Sequence, residues 1–204
     1  MELLDEWLET FESVLTGPSE YFRTEERRDG FGYSLKFAIV SVALAAVFNA
    51  ARAGFFGPTQ LGQALPFAGS AMVALGVLVL SPIMAIIGLL ISAGLVHIFV
   101  ALLGGDAGYS ETLSVFEYAT AISPITSLMS LVPVVGGLVN LVLGIYGLYI
   151  QVKGLENFQG LSTWRALGAI VLPGLVIAAV AVILVVAMGA AFASQAPGLI
   201  QSAQ

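Results

Sequence analysis

Residues 67–103 read FAGSAMVALGVLVLSPIMAIIGLLISAGLVHIFVALL, a run without Asp, Glu, Lys or Arg. About 20 apolar residues cross the hydrocarbon core of a bilayer as a helix. The run is therefore long for one crossing and slightly short for two crossings and a turn, and Ser81-Pro82 sits in its middle. Positive charge arbitrates, because short loops rich in Lys and Arg stay on the cytoplasmic side. A single crossing puts Arg23, Arg27, Arg28, Lys36, Lys153 and Arg165 on that side and Arg52 alone on the other, whereas two crossings divide the seven basic residues four against three. The single crossing wins. Pro82, which has no amide proton for the helical ladder, is expected to kink this long helix.

Outward from this run, the same length rule gives four more spans: Leu35 to Ala53, Leu113 to Leu131, Val134 to Val152, and Trp164 to Phe192. A polar loop from Arg52 to Pro66 follows the first, a turn at Pro133 and Gly136-Gly137 joins the third and fourth, and a polar link from Lys153 to Thr163 leads to the last. The expected fold is an all-α integral membrane protein of about five transmembrane helices, preceded by a short amphipathic N-terminal helix. Residues 1–34 form a cytoplasmic head, 35–192 the membrane domain and 193–204 a short polar tail outside. Small residues such as Gly88 with Ser92, Gly144 with Gly147, and Gly189 with Ala193 read as helix-packing positions, since close backbone approach drives association in lipid.

Composition agrees: 58% of residues are hydrophobic and 10% charged, and the mean hydropathy is +0.98, outside the range of soluble domains. Nine of the thirteen acidic residues lie between Glu2 and Asp29, and the seven basic residues form no run. That distribution gives no footprint for a phosphate backbone and excludes nucleic acid as a partner. Cysteine is absent, which removes disulfides and thiolate chemistry. The acidic start lacks the basic region of a signal peptide, so no cleaved leader is expected.

In the head, Leu3, Leu4, Trp7, Leu8, Phe11, Val14 and Leu15 recur at three- and four-residue steps, the stripe of an amphipathic helix, and Gly17-Pro18 stops it. An acidic polar face is a poor match to anionic lipid. The helix rests on the membrane domain, meets a partner, or is an ordinary surface helix.

Ionisable groups within a span are costly and are functional candidates by default; His97 and Glu117 are the two. An antiparallel arrangement of spans two and three brings them to similar depth, where they are expected to pair. One reading of the pair is a proton-sensitive or ligand-binding site; the other is a structural interhelical hydrogen bond, with Glu117 alternatively reaching to the interface. Asn140, Tyr146, Tyr149, Gln151 and Glu156 form a second polar group. Its tyrosines read as interfacial anchors, while Asn140, Tyr146 and Tyr118 are candidates for helix contacts or a cavity lining. With one histidine, no phosphate loop, no nucleophile elbow and no aspartate pair inside the spans, no catalytic residue, cofactor or metal site is expected.

Several segments, in order, resemble those of prokaryotic members of the Yip1 domain family: Thr16-Gly-Pro-Ser-Glu-Tyr-Phe22, Leu103-Gly-Gly-Asp-Ala-Gly-Tyr-Ser110, Glu117-Tyr-Ala-Thr-Ala-Ile-Ser-Pro124, Leu143-Gly-Ile-Tyr-Gly-Leu-Tyr149 and Gly160-Leu-Ser-Thr-Trp-Arg-Ala166. The resemblance covers roughly residues 17 to 190 and implies five helical spans with a cytosolic N-terminus. Eukaryotic members bind Rab GTPases and one another and act in vesicle formation and endomembrane shape. The polar region before the first span is short here, and Glu117 stands where the family often has a small residue.

Two functions follow as expectations. The first is a non-enzymatic scaffold or trafficking-related protein that lies in the lipid bilayer and binds proteins, or itself, through the head. The second is a small transporter or channel with a polar path past His97, Glu117, Asn140 and Tyr146.

Overall fold

A computed structural model describes residues 2–24, 32–56, 69–132 and 134–201, with the side chains of Glu2 and of 189–201 left aside. Its helices are α1 (Glu2–Thr16), α2 (Pro18–Thr24), α3 (Tyr33–Phe56), α4 (Ser70–Leu102), α5 (Tyr109–Ala119), α6 (Ser123–Met129), α7 (Val135–Gln159) and α8 (Thr163–Gln201). No strand occurs among the described residues. Among the described residues four helices are long and apolar enough to cross a membrane: α3, α4, α7 and α8. Residues 57–66 of the expected loop and Pro133 of the expected turn lie outside the described residues, whereas Gly136 and Gly137 of that turn already belong to α7.

The decisive run forms one helix, α4, that continues without a break past Pro82. A chain in lipid must satisfy each amide within its own segment, and the lost bond at one proline costs less than opening a second polar turn there. The predicted third span is built differently, as α5, a 3₁₀ turn at Thr120–Ile122, and α6. Pro124 sits in the first turn of α6, and its ring is incompatible with an unbroken ladder through the preceding residues. The Thr120 hydroxyl donates to the Glu117 carbonyl at 2.6 Å within that break.

Two boundaries also move. The predicted link from Lys153 is helical as far as Gln159, supported by the Lys153–Glu156 ion pair at 2.6 Å and by Asn157 Nδ2 donating to the Lys153 carbonyl. Gly160, at φ 66°, ends it in the left-handed conformation that glycine adopts without penalty. The last helix runs beyond Phe192 to Gln201.

The main core lies at one end of the bundle, where α1, α2, α5 and α7 pack with the start of α3, the end of α4 and the start of α8 around Phe37, Val100, Val115, Ile150, Leu155 and Ala166. A second cluster joins Ala50 and Ala53 of α3 to Val73 and Val77 of α4, so α3 and α4 run antiparallel. Leucines, valines and isoleucines elsewhere on α4, α7 and α8 are exposed on the isolated chain, as the surface of a protein solvated by acyl chains must be.

The small residues divide into two kinds. At Gly147 and Gly154 of α7 a Cβ would stand 2.5 Å from Ile122 Cδ1 and 2.5 Å from Val115 Cγ1 respectively, and at Gly136 it would collide with the Met129 carbonyl. These three glycines let α7 lie against the segmented helix. Gly88 and Gly144, expected to be packing positions, meet nothing within 4 Å. Gly154→Leu is accordingly expected to lower stability by about 1–3 kcal/mol through overpacking, measured as detergent-solubilised thermal unfolding. Gly144→Ala serves as the contrast, with no loss.

Candidate functional site

The polar side chains converge where α4 ends and α5 and α8 begin, around the glycine loop 103–108. Gln159, the last residue of α7, is fully buried and reaches across this loop. Its Nε2 donates to the Gly108 carbonyl and to Thr112 Oγ1, both at 2.9 Å, and its Oε1 accepts from the Ala107 amide at 3.1 Å. The Asp106 amide donates to the Gln159 carbonyl at 3.3 Å. Gly105 has to be glycine, since a Cβ there would press on Val100 and come within 3.0 Å of Gln159 Oε1.

Thr112 passes the network on to His97. Thr112 Oγ1 accepts from Gln159 Nε2 and also lies 2.9 Å from His97 Nδ1, with which it shares a hydrogen bond. Tyr109 packs edge-on against the imidazole with ring centroids 5.7 Å apart, and its hydroxyl donates to the Leu90 carbonyl at 3.0 Å.

The expected His97–Glu117 pair does not form: among the described residues no hydrogen bond joins them, and the imidazole Nδ1 meets Thr112 instead. Glu117 is 1% exposed, and among the described residues neither of its carboxyl oxygens has a hydrogen-bond partner. The Ser34 hydroxyl is near enough to act on it, but its hydrogen bond is to Ser114 Oγ at 3.1 Å. Glu117 therefore stands outside the network of Gln159, Thr112 and His97.

The remaining candidates serve helix contacts. Asn140 Nδ2 donates to the Thr126 carbonyl at 3.1 Å, tying α7 to α6, although its Oδ1 is buried without a partner. Tyr146 donates to the Leu15 carbonyl at 2.6 Å, and Tyr149 meets Ser19 Oγ at 3.1 Å. The tyrosines read as interfacial anchors therefore hold the end of α1 and the start of α2. Tyr118 is buried among Tyr21, Phe22 and Phe37, at centroid distances of 5.1, 6.0 and 5.8 Å. Pro82 lies within α4, away from this group.

The head is thus an integral part of the bundle. Trp7 stacks on Phe11 and Phe37 at 4.7 and 6.1 Å, and its indole N–H donates to Ser41 Oγ at 2.9 Å. Thr10 meets the Tyr33 hydroxyl at 2.9 Å, and Phe22 packs edge-on against Phe158 at 5.3 Å. Of the three possibilities for α1, the one in which it rests on the membrane domain is observed.

Sequence reasoning missed Gln159 and Thr112. A glutamine before a helix-ending glycine reads as a solvated terminus, and its only signal was position: it directly precedes Gly160-Leu-Ser, one of the family-like segments.

These features define a multi-pass, all-helical membrane protein whose polar side chains mostly bind its own loops and helices. A family model, the Yip1 domain, matches residues 13–188, and the chain belongs to that family. No curated protein and no solved structure matches it significantly.

Proposed function

We propose that the protein is a non-enzymatic membrane scaffold of the trafficking-related kind, which binds partner proteins from the side of the membrane where the head docks. The observation that carries this reading is that internal contacts hold the candidate polar residues: His97 Nδ1 with Thr112, the Asn140 amide nitrogen with Thr126 and the Tyr146 hydroxyl with Leu15. A side chain held in such a bond is poorly placed to bind and release a solute. The exposed carboxylates Asp5, Glu6, Glu9 and Glu12 of α1 offer a partner a surface of one charge. We take the head side as cytoplasmic and the segmented helix as a fifth crossing, which places the C-terminus outside. The charge count and family membership support this topology. Single cysteines introduced at Ser19 and at Ser130 test it through labelling by a membrane-impermeant maleimide from either side of sealed vesicles.

The buried, unpartnered Glu117 favours a second reading, a small transporter or channel. Proton and solute flux in proteoliposomes separates the two. The scaffold reading expects no flux above empty vesicles across several pH gradients and ions, together with proteins crosslinked to the head in native membranes. Flux that collapses in Glu117→Gln would replace it with the transport reading. Glu117→Gln keeps the shape of the side chain and has no hydrogen bond to break, so its stability is expected to stay within about 1 kcal/mol of the native protein, and lost flux would not reflect unfolding.

A further inference from the structure

Helix α1 has three faces rather than two. At about 100° per residue, Trp7, Thr10 and Val14 share one narrow arc, Leu4, Leu8, Phe11 and Leu15 the next, and Asp5, Glu6, Glu9 and Glu12 the remainder. The first face is buried in the bundle: Trp7 is 8% exposed, Thr10 5% and Val14 0%. The acidic face is exposed. The middle face is apolar and only its second half is covered: Phe11 and Leu15 pack against the core, whereas Leu4 and Leu8 are 53% and 54% exposed, as is Leu3 at the helix start, at 51%.

The position of α1 on α3 identifies what covers these leucines. Its docked face meets Tyr33, Phe37 and Ser41, and Leu3 lines a narrow crevice with Lys36 and Val40. Ser41 lies five residues beyond Lys36, the last charge before the apolar run, or roughly 7–8 Å further along the helix axis. The first turns of α1 thus sit at the margin of the hydrocarbon. Val40, Ala43 and Val47 continue down that side of α3 at three- and four-residue steps, and Ala43 and Val47 are exposed. That is the lipid-facing side of the first span. Helix α1 therefore stands on the outer surface of the bundle, with Leu4 and Leu8 beside acyl chains, Glu6 at the crevice with Lys36 and the exposed Glu9 and Glu12 on the side away from them.

We propose that α1 is an in-plane membrane helix that seats Leu4 and Leu8 among the lipid acyl chains of the leaflet on the head side, while Trp7 and Val14 clasp the bundle. The leaflet is the occupant because the exposed face is purely aliphatic, is continuous with a lipid-facing side of α3, and lies at interfacial depth. The acidic face is repelled by anionic lipid and held toward water, which fixes the rotation of the helix about its axis. Such a helix takes up area in one leaflet only.

The chain has no native cysteine, so single spin labels report single positions. The full-length protein is reconstituted in phosphatidylcholine vesicles with one label at Leu4, Leu8, Glu9 or Glu12, and accessibility to oxygen is compared with accessibility to a water-soluble nickel chelate. Oxygen is expected to dominate at Leu4 and Leu8 and nickel at Glu9 and Glu12. Nickel dominance at all four positions would overturn the proposal. Shielding of the leucines from both reagents, with spin–spin broadening between copies, would overturn it in favour of a second copy as the occupant. A label can itself disturb the helix, so the unsubstituted protein is also irradiated with phosphatidylcholine carrying a diazirine in its acyl chain. Lipid adducts on the peptide containing Leu4 and Leu8 support the proposal, and their absence there, with adducts present on α4, overturns it.

Discussion

Replacing Gln159 with leucine is expected to lower stability by about 3 kcal/mol, because three partners lose their hydrogen bonds together. The Ala107 amide, the Gly108 carbonyl and Thr112 Oγ1 all point at the Gln159 amide group, and leucine has similar bulk but no donor or acceptor. Each buried orphan alone costs about 1–3 kcal/mol. The sum is not reached because Gly108 is exposed and its carbonyl recovers water. The loss should appear as a lower unfolding midpoint in detergent, with a shift in the His97 imidazole resonances, since Thr112 would no longer be held between two partners. Unchanged stability and an unchanged imidazole spectrum would mean that the glycine loop is held by something other than Gln159.

Trp7→Ala has the other large expected effect, and it is local. The substitution removes the two ring stackings and the bond to Ser41 and leaves a large void against Phe37. Buried aromatic truncations of this kind cost about 3–5 kcal/mol. The lower figure applies here because Trp7 lies near the rim of the core. The head is expected to open while α3, α4, α7 and α8 stay assembled, as the less tightly bound part of a structure does first. A glutamate-specific protease should then cut at Glu9 and Glu12 far faster than in the native protein, with the unfolding midpoint of the remainder nearly unchanged. Leu8→Ala, at an exposed position of the same helix, is the control and should alter cleavage little in detergent. Equal protection of Trp7→Ala and native protein would refute docking through this residue.

Much of this structure was legible before any coordinate. Apolar runs bounded by charge placed α3, α4, α7 and α8, because bilayer thickness and backbone satisfaction leave a helix few alternatives. The single passage of α4 through residues 70–102 followed from counting Lys and Arg on either side of it. Periodicity put Trp7 and Val14 on the docked stripe of α1, but Leu4 and Leu8 belonged to that stripe equally. Hydropathy alone cannot tell an apolar face that meets protein from one that meets lipid.

The site was less legible, for a related reason. His97 and Glu117 drew attention as ionisable groups at similar expected depth, and depth alone suggested a pair. Only the packing of α5 on α4 decided that Thr112 would meet the imidazole and that Glu117 would turn into a space without a hydrogen-bond partner. Tyr146 and Tyr149 read as interfacial anchors in the sequence, and only the tertiary structure added that α1 and α2 lie against them.

The sequence by itself determined the solvent, the helical class and the family of this protein, because these depend on composition, run length and the order of short segments. Tertiary structure decided which residues act together: Gln159 with the glycine loop, the head with the bundle, and Glu117 with no hydrogen-bond partner among the described residues. Those outcomes depend on side chains up to 131 positions apart in the chain, as with Tyr146 and Leu15, and on rotations of helices about their axes. Hydrophobic periodicity leaves such rotations open when both protein and lipid accept an apolar face.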